Sequence, residues 1–191
     1  MSKARARKIK LLLFDVDGVM TDGKLWIIPR SPLANPTGAG ASDEIEAKGF
    51  HAHDGTAISL ARLGGLKTGL ITKRSSETVA LRARDLKLAY VYQGVEVKIR
   101  VFEEILEKEK LAAAAVAYIG DDVIDLPIMR RCGFAIAVAN ARDEVKEEAH
   151  WVTRHSGGEG AIRDAVEYVL RAQGSWDAVV KQYLERGDAP K

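Results

Sequence analysis

Leu11-Leu12-Leu13-Phe14-Asp15-Val16-Asp17-Gly18-Val19-Met20-Thr21-Asp22-Gly23 decides how the rest of the chain is read. An apolar run ends abruptly in two aspartates one residue apart, followed by glycine. The run is short, with lysine before it and glycine after it, which fits a buried strand better than a helix. In a parallel α/β sheet, ligands bind beyond the carboxyl ends of the strands. Asp15 then stands at such an end and Asp17 in the loop that follows. Two carboxylates this close repel unless a positive charge lies between them, and a hard cation such as Mg²⁺ answers that need. A carboxylate can also attack phosphorus and form an aspartyl-phosphate. By itself the same tripeptide serves equally well as a solvated turn closing a core strand.

Working outward, the pattern alternates. Strands are expected at Ile9 to Phe14, Leu66 to Ile71, Ala89 to Tyr92, Ala115 to Ile119 and Phe134 to Val138, with an edge strand at Trp151-Val152. Helices are expected from Asp54, as N-cap, to Gly64-Gly65, from Ser75 or Ser76 to Leu86, and over Lys98 to Glu109. Further helices are expected around Ile124 to Arg131, over Asp143 to Ala149 and over Ala161 to Ala172, with a last short helix carrying Trp176, Val179, Val180, Tyr183 and Leu184. Strands alternating with helices predict an α/β fold, a doubly wound, Rossmann-like parallel sheet with helices on both faces. Gly23 to Ile28 and Ile45 to His51 read as the arms of a hairpin, and Pro29 to Ser42, rich in Pro, Gly, Ser, Ala and Asn, as a loop at its tip.

The chain has 191 residues, of which 47% are hydrophobic and 29% charged, enough for one sizeable core and too few for two ordinary domains. The expected organisation is one domain over 1–191, with 23–51 as a hairpin insertion and 174–191 as a C-terminal tail. A net charge of +2 gives no sign of a polyanion-binding surface, and no basic-aromatic platform for nucleic acid is present. No stretch approaches a membrane span. The single cysteine, Cys132, rules out an internal disulfide and suits a reducing cytoplasm. It reads as a small buried apolar residue at a helix end. The basic start, Lys3 to Lys10, has no cleavage-site pattern and reads as a frayed, solvated terminus.

Downstream residues complement the aspartate pair. Thr72 ends an apolar run, Lys98 opens a helix, and Gly120-Asp121-Asp122-Val123-Ile124-Asp125 follows another apolar run. Asp121-Asp122 alone would read as a helix N-cap. With Asp-Val-Asp-Gly-Val-Met-Thr-Asp-Gly in front, the set resembles, in order, the four motifs of the haloacid dehalogenase superfamily of phosphohydrolases, from about residue 9 to about residue 176. More narrowly it resembles the capless 3-deoxy-D-manno-octulosonate 8-phosphate phosphatase family. That likeness rests on Thr21-Asp22-Gly23, Lys48 to Gly55, Tyr92-Gln93-Gly94-Val95 and Gly157-Gly158-Glu159-Gly160-Ala161-Ile162-Arg163.

The resemblance implies roles. Asp15 is the nucleophile and Asp17 the acid that protonates the leaving alkoxide, then the base for the hydrolytic water. Mg²⁺ is held by Asp15, by the backbone carbonyl of Asp17 and by Asp121, with Asp122 and Asp125 supporting the site from behind. Thr72 binds a phosphate oxygen and Lys98 neutralises charge on the phosphoryl group. Lys48, His53, Asp54, Arg74 and Ser76 face the substrate, with the planar fork of Arg74 suited to a carboxylate. The substrate is a small sugar-acid phosphate, first 3-deoxy-D-manno-octulosonate 8-phosphate and otherwise a nine-carbon acid such as a neuraminate 9-phosphate. A tetrameric binding module with little turnover is the reading from outside the enzymes; it predicts damage to Asp15, Asp17, Lys98 or Asp121, and none is damaged. A β-hairpin protrudes in place of a cap domain. The family's hairpins pack in a homotetramer, and each subunit helps cover a neighbour's site, which places Lys48 near that neighbour.

Several positions depart from the family pattern. Lys73 replaces a glycine, His53 an arginine, Val97 an aspartate, and Arg142-Asp143 a His-Pro pair. The last change is expected to affect only a peripheral turn.

Overall fold

The computed structural model describes residues 2–29 and 44–186. Six strands form one sheet in the order β5-β4-β1-β6-β7-β8, every neighbouring pair parallel. They are β1 (Leu11–Phe14), β4 (Lys67–Ile71), β5 (Tyr90–Tyr92), β6 (Val116–Gly120), β7 (Phe134–Ala137) and β8 (Trp151–Val152). The β1 strand sits centrally and all four of its side chains are fully buried. Burial on both faces is why it reads as an unbroken apolar run rather than an alternating one.

The chain leaves β1 through α2 (Ala52–Leu63) to β4, then through α3 (Glu77–Asp85) to β5. It returns through α4 (Lys98–Glu109) to β6 on the other side of β1. The strand order therefore reverses at β1, and a crevice opens there beyond the strand ends. Helices cover both faces. Among them α2 packs on α7 (Ala161–Gln173) and α8 (Trp176–Arg186), and α4 packs on α5 (Leu126–Met129). Trp176 of α8 is buried beneath the guanidinium groups of Arg163 and Arg171, 5.0 and 4.9 Å from its ring centre.

Several expectations are corrected. Residues 2–10 are not a frayed terminus: Ser2–Ala6 forms α1, and Ala6 and Ile9 are buried in the core. Arg5 and Arg7 donate to the carbonyls of Gly133 and Ala172, and Ser2 Oγ lies 2.7 Å from the Tyr168 hydroxyl. A basic segment can dock because the charged heads reach outward and the small apolar positions face in. The helix after β6 is split into a 3₁₀ turn, Val123–Asp125, and α5. Asp122 and Asp125 close that turn as a reciprocal cap, and Pro127 lies in the first turn of α5, where its missing N–H costs nothing. Asp54 is not an N-cap, since α2 begins at Ala52 after His51.

The hairpin arms are shorter than expected, β2 (Trp26–Pro29) and β3 (Glu44–Ala47), paired antiparallel from Trp26 opposite Ala47. Its tip, 30–43, and residues 187–191 lie outside the described residues. Between β7 and β8 lies α6 (Asp143–Glu148). Cys132 is buried as expected, and burial pushes its thiol up to about 12.

Candidate active site

Parallel pairing brings the motifs to one edge. Phe14 lies opposite Leu70 on one side and Ile119 on the other, so Asp15, Thr72 and Asp121 all emerge just past that level. The Asp15 N–H donates to the Ile119 carbonyl at 3.1 Å. Asp15 Oδ1 accepts from the Val16 N–H at 2.7 Å, and Oδ2 lies 2.6 Å from Lys98 Nζ. Lys98 starts α4 yet is buried, and its ammonium also donates to Asp125 Oδ1 at 2.8 Å. Thr72 is buried as well, held by its N–H on the Tyr92 carbonyl and its carbonyl on the Val95 N–H.

Carboxyl oxygens of Asp15, Asp121 and Asp125 all lie within 4.8 Å of one another. Lys98 is the cation paired with two of these three acids. Burial, and then the Asp125 charge, push Asp15 up to about 6 against the pull of Lys98. Burial and the charges of Asp125, Asp15 and Asp122 push Asp121 up to about 7. Such shifts mark acids crowded together in low dielectric, and an added cation would relieve them.

The three acids are not equivalent. Asp125 is saturated: its Oδ1 accepts from Lys98 and from the Tyr118 hydroxyl at 2.8 Å, and its Oδ2 from the Asp121 N–H at 3.1 Å. Asp121 Oδ1, in contrast, is buried without a hydrogen-bond partner. The donor set thus fits a hard cation on Asp15 and Asp121, with Asp125 holding the framework behind them. Asp122 is exposed and spends its carboxylate on the Val123 N–H at 2.7 Å, capping the turn.

The carboxylate of Asp17 turns elsewhere. It pairs with Lys48 through Oδ1 and lies 3.7 Å from Arg74 Nε through Oδ2. The Lys48 side chain is fully enclosed against Asp17 of its own chain. Residues 48–51 run from β3 back to α2, and that return carries Lys48 over the nucleophile loop. Arg74 also donates to Glu46 Oε2 at 2.9 Å. Ser76 caps α3 in position, and its N–H donates to Gln93 Oε1 at 2.8 Å.

Two expected substrate contacts lie apart from this cluster in what they bond. Asp54 is buried and its Oδ1 accepts from the Arg163 N–H at 2.8 Å, so it ties α2 to the start of α7. Burial raises its carboxyl above the usual range, against the pull of that bond. His53 is exposed, and its ring meets the edge of His51 at 4.9 Å.

The glycine-rich segment before α7 closes over the nucleophile loop. A methyl at Gly157 would overlap the Gly18 carbonyl, and the Gly158 N–H donates to the Val19 carbonyl at 3.1 Å. Gly18 itself has φ +86°, and a side chain there would collide with Asp121.

Tyr118, Glu46 and Asn140 are missed by the sequence reading, and Gln93 is quoted there only within a motif, without a role. Asn140, whose Oδ1 accepts from the Gly157 N–H at 2.7 Å, follows β7 as a polar residue beyond a strand end, the signal that singled out Asp15. Tyr118 lies within an apolar strand, where only the fold shows what its hydroxyl meets. The turn holding Arg142 is not peripheral either, because the Arg142 N–H donates to the Asp121 carbonyl at 2.9 Å. Val97 is exposed at the N-cap of α4 and supplies no side-chain cap.

Comparison with known proteins agrees with this geometry. A family model of haloacid dehalogenase-like hydrolases matches residues 89–165. The chain is 37% identical over 181 residues to the 3-deoxy-D-manno-octulosonate 8-phosphate phosphatase KdsC of Escherichia coli K12, covering 95% of this chain and 89% of that one. Its fold matches a probable YrbI family phosphatase from Pseudomonas syringae with a TM-score of 0.85 and 40% identity, covering 95% of this chain and 96% of that one. It also matches the 3-deoxy-D-manno-octulosonate 8-phosphate phosphatase of Moraxella catarrhalis, solved with a magnesium ion, a phosphate ion and a KDO molecule. That match has a TM-score of 0.84 and 31% identity, over 95% of this chain and 97% of that one. The buried Asp15–Lys98–Asp125 chain, the unpartnered Asp121 oxygen and these likenesses along nearly the whole length agree: the chain belongs to the 3-deoxy-D-manno-octulosonate 8-phosphate phosphatase family of haloacid dehalogenase-like hydrolases.

Proposed function

We propose that this protein is a Mg²⁺-dependent phosphatase that hydrolyses 3-deoxy-D-manno-octulosonate 8-phosphate to the free sugar acid and phosphate. The observation that carries this reading is the Asp15 carboxylate held between the Val16 N–H and Lys98 at the topological switch point, with the unpartnered Asp121 oxygen beside it. The relatives from E. coli and M. catarrhalis support the choice of sugar.

Asp15 attacks phosphorus in line; a bond forms from its carboxylate oxygen to phosphorus as the bond from phosphorus to the sugar oxygen breaks. Asp17 gives a proton to the departing alkoxide and later takes one from the water that cleaves the aspartyl-phosphate. Lys98 faces the phosphoryl oxygens with its ammonium, and Asp125, anchored by Tyr118, keeps that ammonium aimed at Asp15. Thr72 lies at the same strand edge to meet a phosphate oxygen. Arg74 is half exposed and takes the sugar acid's carboxylate, while the enclosed Lys48 keeps Asp17 in place. Asp15, Asp121 and the Asp17 carbonyl would hold Mg²⁺, which would supply charge neutralisation at the phosphoryl group.

The exposed ribbon formed by Trp26, Ile27, Ile28 and Ile45 supports a homotetramer built through the hairpins. No described helix is long and apolar enough to cross a membrane, and action in the cytoplasm on a small substrate is consistent with that. The test is phosphate release by the purified protein from eight-carbon and nine-carbon sugar-acid phosphates. The eight-carbon acid should have the highest kcat/KM, with activity lost to chelator and restored by Mg²⁺. A higher kcat/KM for a nine-carbon acid would overturn the choice of sugar, and activity that survives exhaustive metal removal would overturn the role of Asp121.

A further inference from the structure

A second charge cluster adjoins Asp17, and the phosphoryl chemistry does not account for all of it. Glu46 lies on β3, where its Oε2 accepts from Arg74 Nη2 at 2.9 Å and its Oε1 lies 3.7 Å from Lys48 Nζ. Its backbone carbonyl accepts from Thr78 Oγ1 at 3.1 Å, which pins the strand to α3. Two cations, Lys48 and Arg74, thus face two carboxylates, Asp17 and Glu46. The cluster is electrically closed by the protein's own acids.

The two cations differ in access. The Lys48 side chain is 0% exposed, so it has no room for a further partner, whereas that of Arg74 is 46% exposed and faces solvent. An arginine fork can grip a carboxylate through two parallel N–H bonds. Glu46 uses one of those positions, Nη2. A carboxylate-bearing substrate reaching Arg74 meets a carboxylate already there, and two anions on one guanidinium repel.

We propose that Glu46 is a built-in occupant of the Arg74 fork that the substrate carboxylate displaces, making Glu46 a determinant of how strongly the enzyme prefers acidic over neutral sugar phosphates. This rests on the reading of the site as a sugar-acid phosphatase. Glu46 stands in for the missing carboxylate and holds Arg74 through Nη2 in the unliganded enzyme. It also weakens acid binding by competition.

The test is the ratio of kcat/KM for 3-deoxy-D-manno-octulosonate 8-phosphate to that for ribose 5-phosphate, a neutral sugar phosphate. Glu46→Gln keeps the size of the side chain and removes its charge. It should raise the ratio by about threefold or more, mainly through a lower KM for the acid, the scale of one partly exposed ion pair. In an Arg74→Ala background the same substitution should leave the ratio where that background sets it. Thr78→Val, which loosens β3 without changing charge, should not reproduce the rise. An unchanged or lower ratio in Glu46→Gln, the same rise without Arg74, or an equal rise in Thr78→Val would each overturn the inference. Wild-type enzyme that hydrolyses ribose 5-phosphate but no sugar-acid phosphate would overturn the functional reading along with it. Wild type that prefers the acid, with a ratio insensitive to Glu46, would overturn the inference alone.

Discussion

At the scale of single residues, the site works through unequal environments for equal side chains. Asp15, Asp17, Asp121 and Asp125 are all aspartates, yet one meets a buried ammonium, one pairs with Lys48, one is left with an unpartnered oxygen and one is saturated. Asp15→Asn should abolish turnover and leave the circular dichroism spectrum unchanged, because an amide fills the same space but cannot attack phosphorus. Asp17→Asn should slow alkyl phosphate hydrolysis by about two to four orders of magnitude, the usual worth of a general acid-base. A parental rate in either variant, free of wild-type contamination, would contradict these roles. Stability should also depend on pH. Asp15 and Asp121 have folded values raised to about 6 and about 7, above those of an unfolded carboxylate. The folded protein then holds protons that the unfolded chain has lost. That contribution is complete below the unfolded value and is lost as pH rises through the folded values. The melting temperature of metal-free protein should fall between about pH 5 and about pH 8, and Mg²⁺, which favours the ionised acids, should restore more of it at the upper end. A melting temperature that rises over that range in chelator would refute the crowded-acid picture.

At the scale of elements, three loops from strand ends are locked together by backbone groups and the Asn140 side chain. The loop after β1 folds back through the Met20 and Thr21 N–H groups on the Val16 carbonyl, at 2.8 and 3.0 Å. Gly157 and Gly158 lie directly on it, and Asn140 after β7 holds Gly157. Gly157→Ala would force the glycine-rich loop away from Gly18, an overpacking that costs about 1 to 3 kcal/mol. It should lower both the unfolding midpoint in urea and kcat, because Gly18 sits against Asp121. A variant with unchanged kcat would separate the two loops functionally. The α1 helix belongs to the same lesson. The five cations of residues 3–10 read as a solvated tail, but Ala6 and Ile9 dock the segment onto the core.

At the scale of the whole molecule, the hairpin leaves apolar surface in solvent. Trp26 is 59% exposed and Ile27 57%, on a two-stranded ribbon that is marginal by itself. Closed symmetry is the commonest way to bury such a repeated patch. Light scattering should give four copies per particle at micromolar concentration. Replacing 23–49 by a short linker should give a folded, smaller species with poor sugar-phosphate turnover. That species should keep slow hydrolysis of an aryl phosphate, whose leaving group needs little protonation. A fully active monomer of the intact chain would refute the assembly. Loss of Lys48 with the hairpin adds a local cause to the expected defect, since Lys48 pairs with Asp17 in the same chain.

The sequence by itself determined the strand–helix alternation, the position of β1 and the placing of Asp15, Thr72 and Asp121 at strand ends. It could do so because a strand buried on both faces is an unbroken apolar run, and because ligand-facing polar residues in such a sheet follow those runs directly. It also separated the hairpin from the sheet, since β-forming residues with a Pro- and Gly-rich tip break the alternation. Only the tertiary structure decided which partner each carboxylate takes. Asp125 is saturated by Tyr118, Lys98 and the Asp121 N–H, and Asp121 is left with a free oxygen. Lys48 closes on its own chain's Asp17, Asp54 holds α7, and Glu46 occupies Arg74. Apart from the local contacts of Asp125 with Tyr118 and the Asp121 N–H, these pairings join residues 27 or more positions apart, so their distances follow from how the crossovers pack rather than from local spacing. Docking of the basic segment 2–10 was hidden for the same reason: two apolar residues, Ala6 and Ile9, among five cations carry a signal only when the surface that receives them is known.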